Sequence, residues 1–109
     1  MKKIYLFCSA GMSTSMLAKN MQKAADAHSL PAHIEAFSSS KISALVESDH
    51  PDVILLGPQV SFMFDDVNEK YGTSIPVGVI DADDYGALDG ERVLKYAILL
   101  LKKFKAANA

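Results

Sequence analysis

The chain of 109 residues contains one cysteine, and its neighbours suit it to anion chemistry. Cys8 is followed by Ser9-Ala10-Gly11-Met12-Ser13-Thr14-Ser15, a run of mostly small side chains. Gly11 can take a positive φ and let the backbone curl, so that successive amide N–H groups converge as an anion nest. A helix beginning just afterwards would add unpaired N–H donors and the positive end of its dipole. The hydroxyls of Ser9, Ser13, Thr14 and Ser15 complete a cradle for a tetrahedral dianion, with a thiol at its base. The same setting favours the thiolate, itself an anion, and so is expected to lower the Cys8 pKa. A thiolate there can attack phosphorus and form a phosphocysteine whose oxygens are held by the amides.

The absences narrow this chemistry. No Gly-Lys-Ser/Thr closes the turn, so it is not a nucleotide-binding P-loop. A dinucleotide fingerprint needs three glycines where this turn has one. The spacing is that of a Cys-x5-Arg phosphatase loop, but Thr14 stands at the arginine position. An arginine would clamp phosphoryl oxygens bidentately and stabilise transfer to water. Its absence favours holding and relaying a phosphoryl group over rapid hydrolysis. Taken on residues alone, a buried structural thiol remains a competing reading.

Residues 4–7 (Ile-Tyr-Leu-Phe) predict the strand that ends at Cys8, and apolar spacing through Met16, Leu17, Met21, Ala24 and Ala25 predicts a helix to about His28. Residues 32–37 alternate as a second strand, suited to a sheet edge because His33 and Glu35 face away from Ala32, Ile34 and Ala36. The serines at 38–40 cap a short helix striped by Ile42, Leu45 and Val46, which His50-Pro51-Asp52 stops. Residues 53–56 (Val-Ile-Leu-Leu) predict a strand covered on both faces. A helix over 61–71 with Gly72 as its C-cap, a strand over 75–80, a loop over 81–89 and a helix over 90–104 follow. Every strand is followed by a helix, which predicts an open parallel α/β sheet with helices on both faces. Ligands of such sheets sit beyond the carboxyl ends of the strands, where the turns after residues 8, 38, 57 and 81 gather.

Eleven basic and 13 acidic residues leave a formal net charge of −2, which gives no general basic field for nucleic acid. A single cysteine excludes an internal disulfide and a cysteine-rich zinc site, and suits a reducing, cytosolic setting. His28, His33 and His50 show no metal-ligand spacing, so neither metal nor cofactor is expected. No apolar run reaches the ~20 residues a membrane span needs, and the length suits one domain over residues 1–109.

The stretch from Ile4 through Cys8-Ser9-Ala10-Gly11-Met12-Ser13-Thr14-Ser15 closely resembles the start of the B component of enzyme II in the bacterial sugar phosphotransferase system, lactose/cellobiose (diacetylchitobiose) family. Ile34-Glu35-Ala36-Phe37, Leu55-Leu56-Gly57-Pro58-Gln59, Val79-Ile80-Asp81 and Tyr85-Gly86 resemble later parts of that family. The resemblance implies a four-stranded sheet ordered 2-1-3-4, similar to low-molecular-weight tyrosine phosphatases. It implies a cytoplasmic phosphocarrier, a phosphohistidine–sugar phosphotransferase component. Cys8 would take a phosphoryl group from a histidine of the A component. It would pass the group to a disaccharide of cellobiose, diacetylchitobiose or lactose type in the membrane-embedded C component, while residues 9–15 hold the phosphate. A monomer is expected, since successive partners need the active edge, and the association with the membrane transporter would be transient. The alternatives are a cysteine-dependent phosphatase and a non-catalytic anion-binding regulatory module.

Other residues reach the same sheet edge. Gln59, Asp81 and Tyr85 are candidate contacts to the loop or to a partner, although turn packing competes for Gln59 and Tyr85. Asp81, Asp83 and Asp84 more simply solvate and cap a loop, since a carrier with a thiolate leaving group needs no general acid. Gly57-Pro58 is expected to shape a close turn beside the active loop, and Met12, Met16 and Met63-Phe64 are candidates for an adaptable surface around it.

Overall fold

The computed structural model describes residues 1–9 and 12–108, and at Met12 the backbone alone. Four strands, β1 (Lys2–Cys8), β2 (Ala32–Ser38), β3 (Val53–Leu56) and β4 (Val77–Val79), alternate with helices α1 (Met12–Ala27), α2 (Ile42–Asp49), α3 (Phe64–Tyr71), α4 (Ala82–Gly86) and α5 (Gly90–Ala107). The strands pair in parallel in the order β2-β1-β3-β4. The expected α/β sheet and its 2-1-3-4 order are therefore present, with β2 at an edge.

Side-chain alternation along the strands builds two cores, because successive residues point to opposite faces of a sheet. Ile4 and Leu6 of β1, with Val53 and Leu55 of β3, face Leu17 and Met21 of α1 and Val93, Leu94 and Ala97 of α5. Tyr5 and Phe7, with Ile54 and Leu56, face Ile42 of α2 and Val67 of α3. All four residues of β3 are buried, so a strand of only four residues anchors both layers. Each buried Leu or Ile side chain contributes roughly 1.5–3 kcal/mol of hydrophobic stabilisation. The same alternation carries Cys8 onto the α1–α5 face.

Several boundaries differ from the sequence expectation, each for a local reason. The predicted helix over 61–71 is two pieces: a 3-10 stretch, Pro58–Met63, precedes α3. Val60 inside it has φ −118° and ψ 24°, which interrupts a continuous helix. Gly72 caps α3 in the right-handed region, at φ −64°, so the left-handed turn glycine permits is not used. His50 instead takes the left-handed position after α2, at φ 50°. The predicted strand over 75–80 shrinks to Val77–Val79, since Pro76 has no N–H for the ladder. The predicted loop over 81–89 contains α4, where the Asp81 carboxylate accepts from the N–H groups of Asp83 and Asp84. Asp89 caps α5 by accepting from the Arg92 N–H, and that helix runs three residues past the expected end.

Candidate functional site

The strand order reverses its direction of growth between β1 and β3: one connection leads outward to β2, the next returns past β1. The crevice beyond the carboxyl ends of these two central strands is where open α/β sheets bind ligands. Cys8 ends β1 there, and Gly57 follows the end of β3. The Gly57 N–H donates to the Phe7 carbonyl at 2.8 Å, tying the two strand ends together. A methyl group at Gly57 would lie 2.9 Å from Cys8 Sγ and 3.3 Å from its Cβ. Only a residue without a side chain lets the β3 turn pass so close to the sulfur.

Cys8 is buried, at 2% exposure, but polar atoms reach its sulfur. The Cys8 thiol donates to Gln59 Oε1 at 3.2 Å, from the 3-10 turn after β3. The Tyr85 hydroxyl stands 4.0 Å from Sγ, and 2.8 Å from the hydroxyl of Thr14. Thr14 lies in the first turn of α1 and is buried; Tyr85 reaches it from α4. Asp81 places that helix, because its capped N–H groups set the start of α4 and hence the direction of Tyr85.

Three turns of the sheet's carboxyl edge thus bring together Cys8, Thr14, Gln59 and Tyr85 from sites as far as 77 residues apart. Gln59 and Tyr85, candidates from the sequence, both contact the sulfur. Asp81 is exposed, and its carboxylate is engaged as the cap of α4. Asp84 pairs with Arg92 at 2.9 Å on the outer side of α4, and Asp83 is exposed. Within the predicted phosphate loop, Ser9, Ser13 and Ser15 are exposed and Thr14 is buried. Ala10 and Gly11, and with them the expected positive φ of Gly11, lie outside the described residues, as does the Met12 side chain.

Met16 is half exposed, at 48%, whereas Met63 and Phe64 pack against the α2–α3 core. The apolar side chain displayed on the Gln59 turn is Phe62, 79% exposed, which was not among the candidates. An apolar residue in a 3-10 turn of irregular backbone has no helical periodicity by which the sequence could assign its face. Among the described residues no group of three metal-ligating side chains gathers, and no helix is long and apolar enough to cross a membrane. His28 and His33 are surface residues, paired with Glu91 at 2.9 Å and Glu35 at 2.8 Å.

Residues 3–96 match the family model described as PTS system, Lactose/Cellobiose specific IIB subunit. A galactose-specific EIIB component of Lactococcus lactis subsp. cremoris is 44% identical over 100 residues, covering 88% of this chain and 93% of that protein. An oligo-beta-mannoside-specific EIIB component of Bacillus subtilis is 37% identical over 102 residues, covering 93% of this chain and 97% of that protein. Among solved structures, the cellobiose-specific IIB component of Borrelia burgdorferi aligns with TM-score 0.75 and 38% identity, over 94% of this chain and 93% of that one. The lactose-specific IIB structure from Streptococcus pneumoniae aligns with TM-score 0.75 over 89% of this chain and 94% of that one. At 16% identity it bears on the fold alone.

Proposed function

Because the chain belongs to the lactose/cellobiose-specific IIB family of the sugar phosphotransferase system, we propose that it is a phosphocysteine carrier working through Cys8. Members of this family are phosphotransferase components that work with A and C component partners. Here the A component would donate from a phosphohistidine. The Cys8 thiolate attacks its phosphorus, an S–P bond forms, and the N–P electron pair leaves with the imidazole. In the second step a sugar hydroxyl on the C component attacks the same phosphorus. The S–P pair returns to sulfur as thiolate, and the hydroxyl proton passes to a base on the sugar's side. The sugar is a disaccharide of the cellobiose, diacetylchitobiose or lactose type. The protein acts in the cytoplasm as a single-domain monomer, docking transiently on the transporter.

The observation that carries this reading is the place of the sulfur. It sits at the switch point of the sheet, 3.2 Å from Gln59 Oε1 and 4.0 Å from the Tyr85 hydroxyl, which in turn meets Thr14 in the first turn of α1. Thr14 at the arginine position provides a hydroxyl in place of a bidentate cation, which suits a group held for transfer. The test mixes the protein with a phosphorylated A component and measures intact mass. A gain of one phosphoryl group, absent in a Cys8→Ser variant that keeps its circular dichroism spectrum, is the expected result. An unchanged mass with a donor of proven competence would overturn it.

A further inference from the structure

Two polar side chains among the described residues reach the sulfur, and they differ in character. Gln59 Oε1, at 3.2 Å, is an acceptor, useful to Cys8 while sulfur carries its proton. Tyr85 Oη, at 4.0 Å, can donate, and a donor is what a thiolate requires. Tyr85 has one proton to give and two neighbours that can take it, Cys8 Sγ and Thr14 Oγ1. Thr14 can in turn donate to Tyr85 at 2.8 Å, which leaves the phenol proton for the sulfur. Both hydroxyl-bearing residues are buried, at 2% for Thr14 and 9% for Tyr85, so water competes weakly for these bonds.

We infer that Tyr85 is a hydrogen-bond donor to the Cys8 thiolate and that Thr14 is its positioning residue, the two hydroxyls reversing their hydrogen-bond direction when sulfur loses its proton. In the thiol state Cys8 donates to Gln59 and Tyr85 donates to Thr14. Ionisation sends the thiol proton to solvent; Thr14 then donates to Tyr85, and Tyr85 to sulfur. The inference rests on the phosphocarrier reading for its use, because sulfur begins the first half-reaction and ends the second as thiolate. The same phenol therefore serves the nucleophile and the leaving group. Thr14 gains a reason for standing where a phosphatase loop has arginine: it acts on the sulfur through Tyr85.

The experiment follows thiolate formation by ultraviolet absorbance against pH, each variant referenced to the same variant with Cys8→Ser. It needs no phosphoryl donor, so it can fail or succeed separately from the mass test above. Tyr85→Phe is expected to move the Cys8 midpoint upward by about one pH unit, a tenfold loss of thiolate at a given pH. Thr14→Val should move it the same way by a smaller amount, while Thr14→Ser, which keeps the hydroxyl, leaves it unmoved. An unchanged midpoint in folded Tyr85→Phe would overturn the donor. Equal shifts in Thr14→Val and Thr14→Ser would overturn the positioning role, because loss of packing rather than of the hydroxyl would then be responsible.

Discussion

Strand β1 carries a tyrosine network near its amino end and meets another at its carboxyl end, and the two are built differently. Near the amino end the Tyr5 hydroxyl donates to the Asp49 carboxylate at 2.6 Å. The Lys3 ammonium donates to the Asp49 carbonyl, and the Lys3 N–H to the Asp52 carboxylate, both at 2.7 Å. Each of these bonds has a fixed direction, because a carboxylate only accepts and an ammonium only donates. At the other end Thr14 and Tyr85 are neutral hydroxyls beside a thiol, and each can donate or accept. Fixed polarity locks α2 and the turn after it to β1. Reversible polarity is what the proposed carrier would use, its sulfur changing charge in each cycle.

Gly57→Ala attacks the carboxyl end most directly. With a Cβ at 2.9 Å from Sγ and 3.2 Å from Gln59 Oε1, the β3 turn must retreat. Overpacking of this kind costs about 1–3 kcal/mol in denaturant unfolding. Displacement of Gln59 and the sulfur should slow phosphoryl acceptance by roughly tenfold or more, read by rapid-quench mass measurement.

Tyr5→Phe probes the opposite end. Its expected signature is a melting temperature lower by a few degrees, with phosphoryl acceptance unchanged. Burial, then the bond to Asp49, pushes the Tyr5 phenol up to about 12, and the bonds from Tyr5 and Ser48 hold the Asp49 carboxyl below its ordinary value. A phenol raised in the folded state stabilises fully below its unfolded value of 10.0, and that contribution is lost as pH rises through about 12. A carboxyl lowered in the folded state stabilises above its unfolded value of 3.8 and loses its contribution as pH falls through the depressed one. The melting gap between the parent protein and Tyr5→Phe should therefore be widest near neutrality and narrow at both extremes. A gap independent of pH would mean that packing, not the hydrogen bond, distinguishes them.

Arg92→Ala has the smallest expected effect. It removes the surface partner of Asp84 on α4, the helix that carries Tyr85, but the Arg92 side chain is 70% exposed. Exposed pairs contribute up to about 1 kcal/mol and often nothing measurable, so neither melting nor the Cys8 titration midpoint should move appreciably. A midpoint shift like that of Tyr85→Phe would show that α4 owes its placement to the ion pair rather than to the Asp81 cap and the buried phenol.

The strand-helix order and the turn that carries the cysteine were legible because their signals are local. Residues 53–56 are uniformly apolar, Ala32 and Ile34 alternate with His33 and Glu35, and Cys8 stands between an apolar strand and a run of small and hydroxyl residues. Helix α4 was missed because its five residues bury only Tyr85, too short a segment to show a period. The 3-10 stretch before α3 was read as helix because its apolar residues satisfy either spacing, while the break at Val60 lies in the backbone angles. Thr14 shows the limit most clearly: its position after Cys8 marked an absent arginine, but its hydroxyl partner lies 71 residues away.

Composition and pattern were enough for an open parallel sheet with a thiol at the end of its first strand, since hydrophobic period and turn chemistry act between near neighbours. The surroundings of that thiol were settled by packing. Gly57, Gln59, Thr14 and Tyr85 meet at the sulfur because the order β2-β1-β3-β4 brings distant turns to one edge. Contacts across such separations are set by which strands pair, a property of the whole chain's burial that no short window of residues contains.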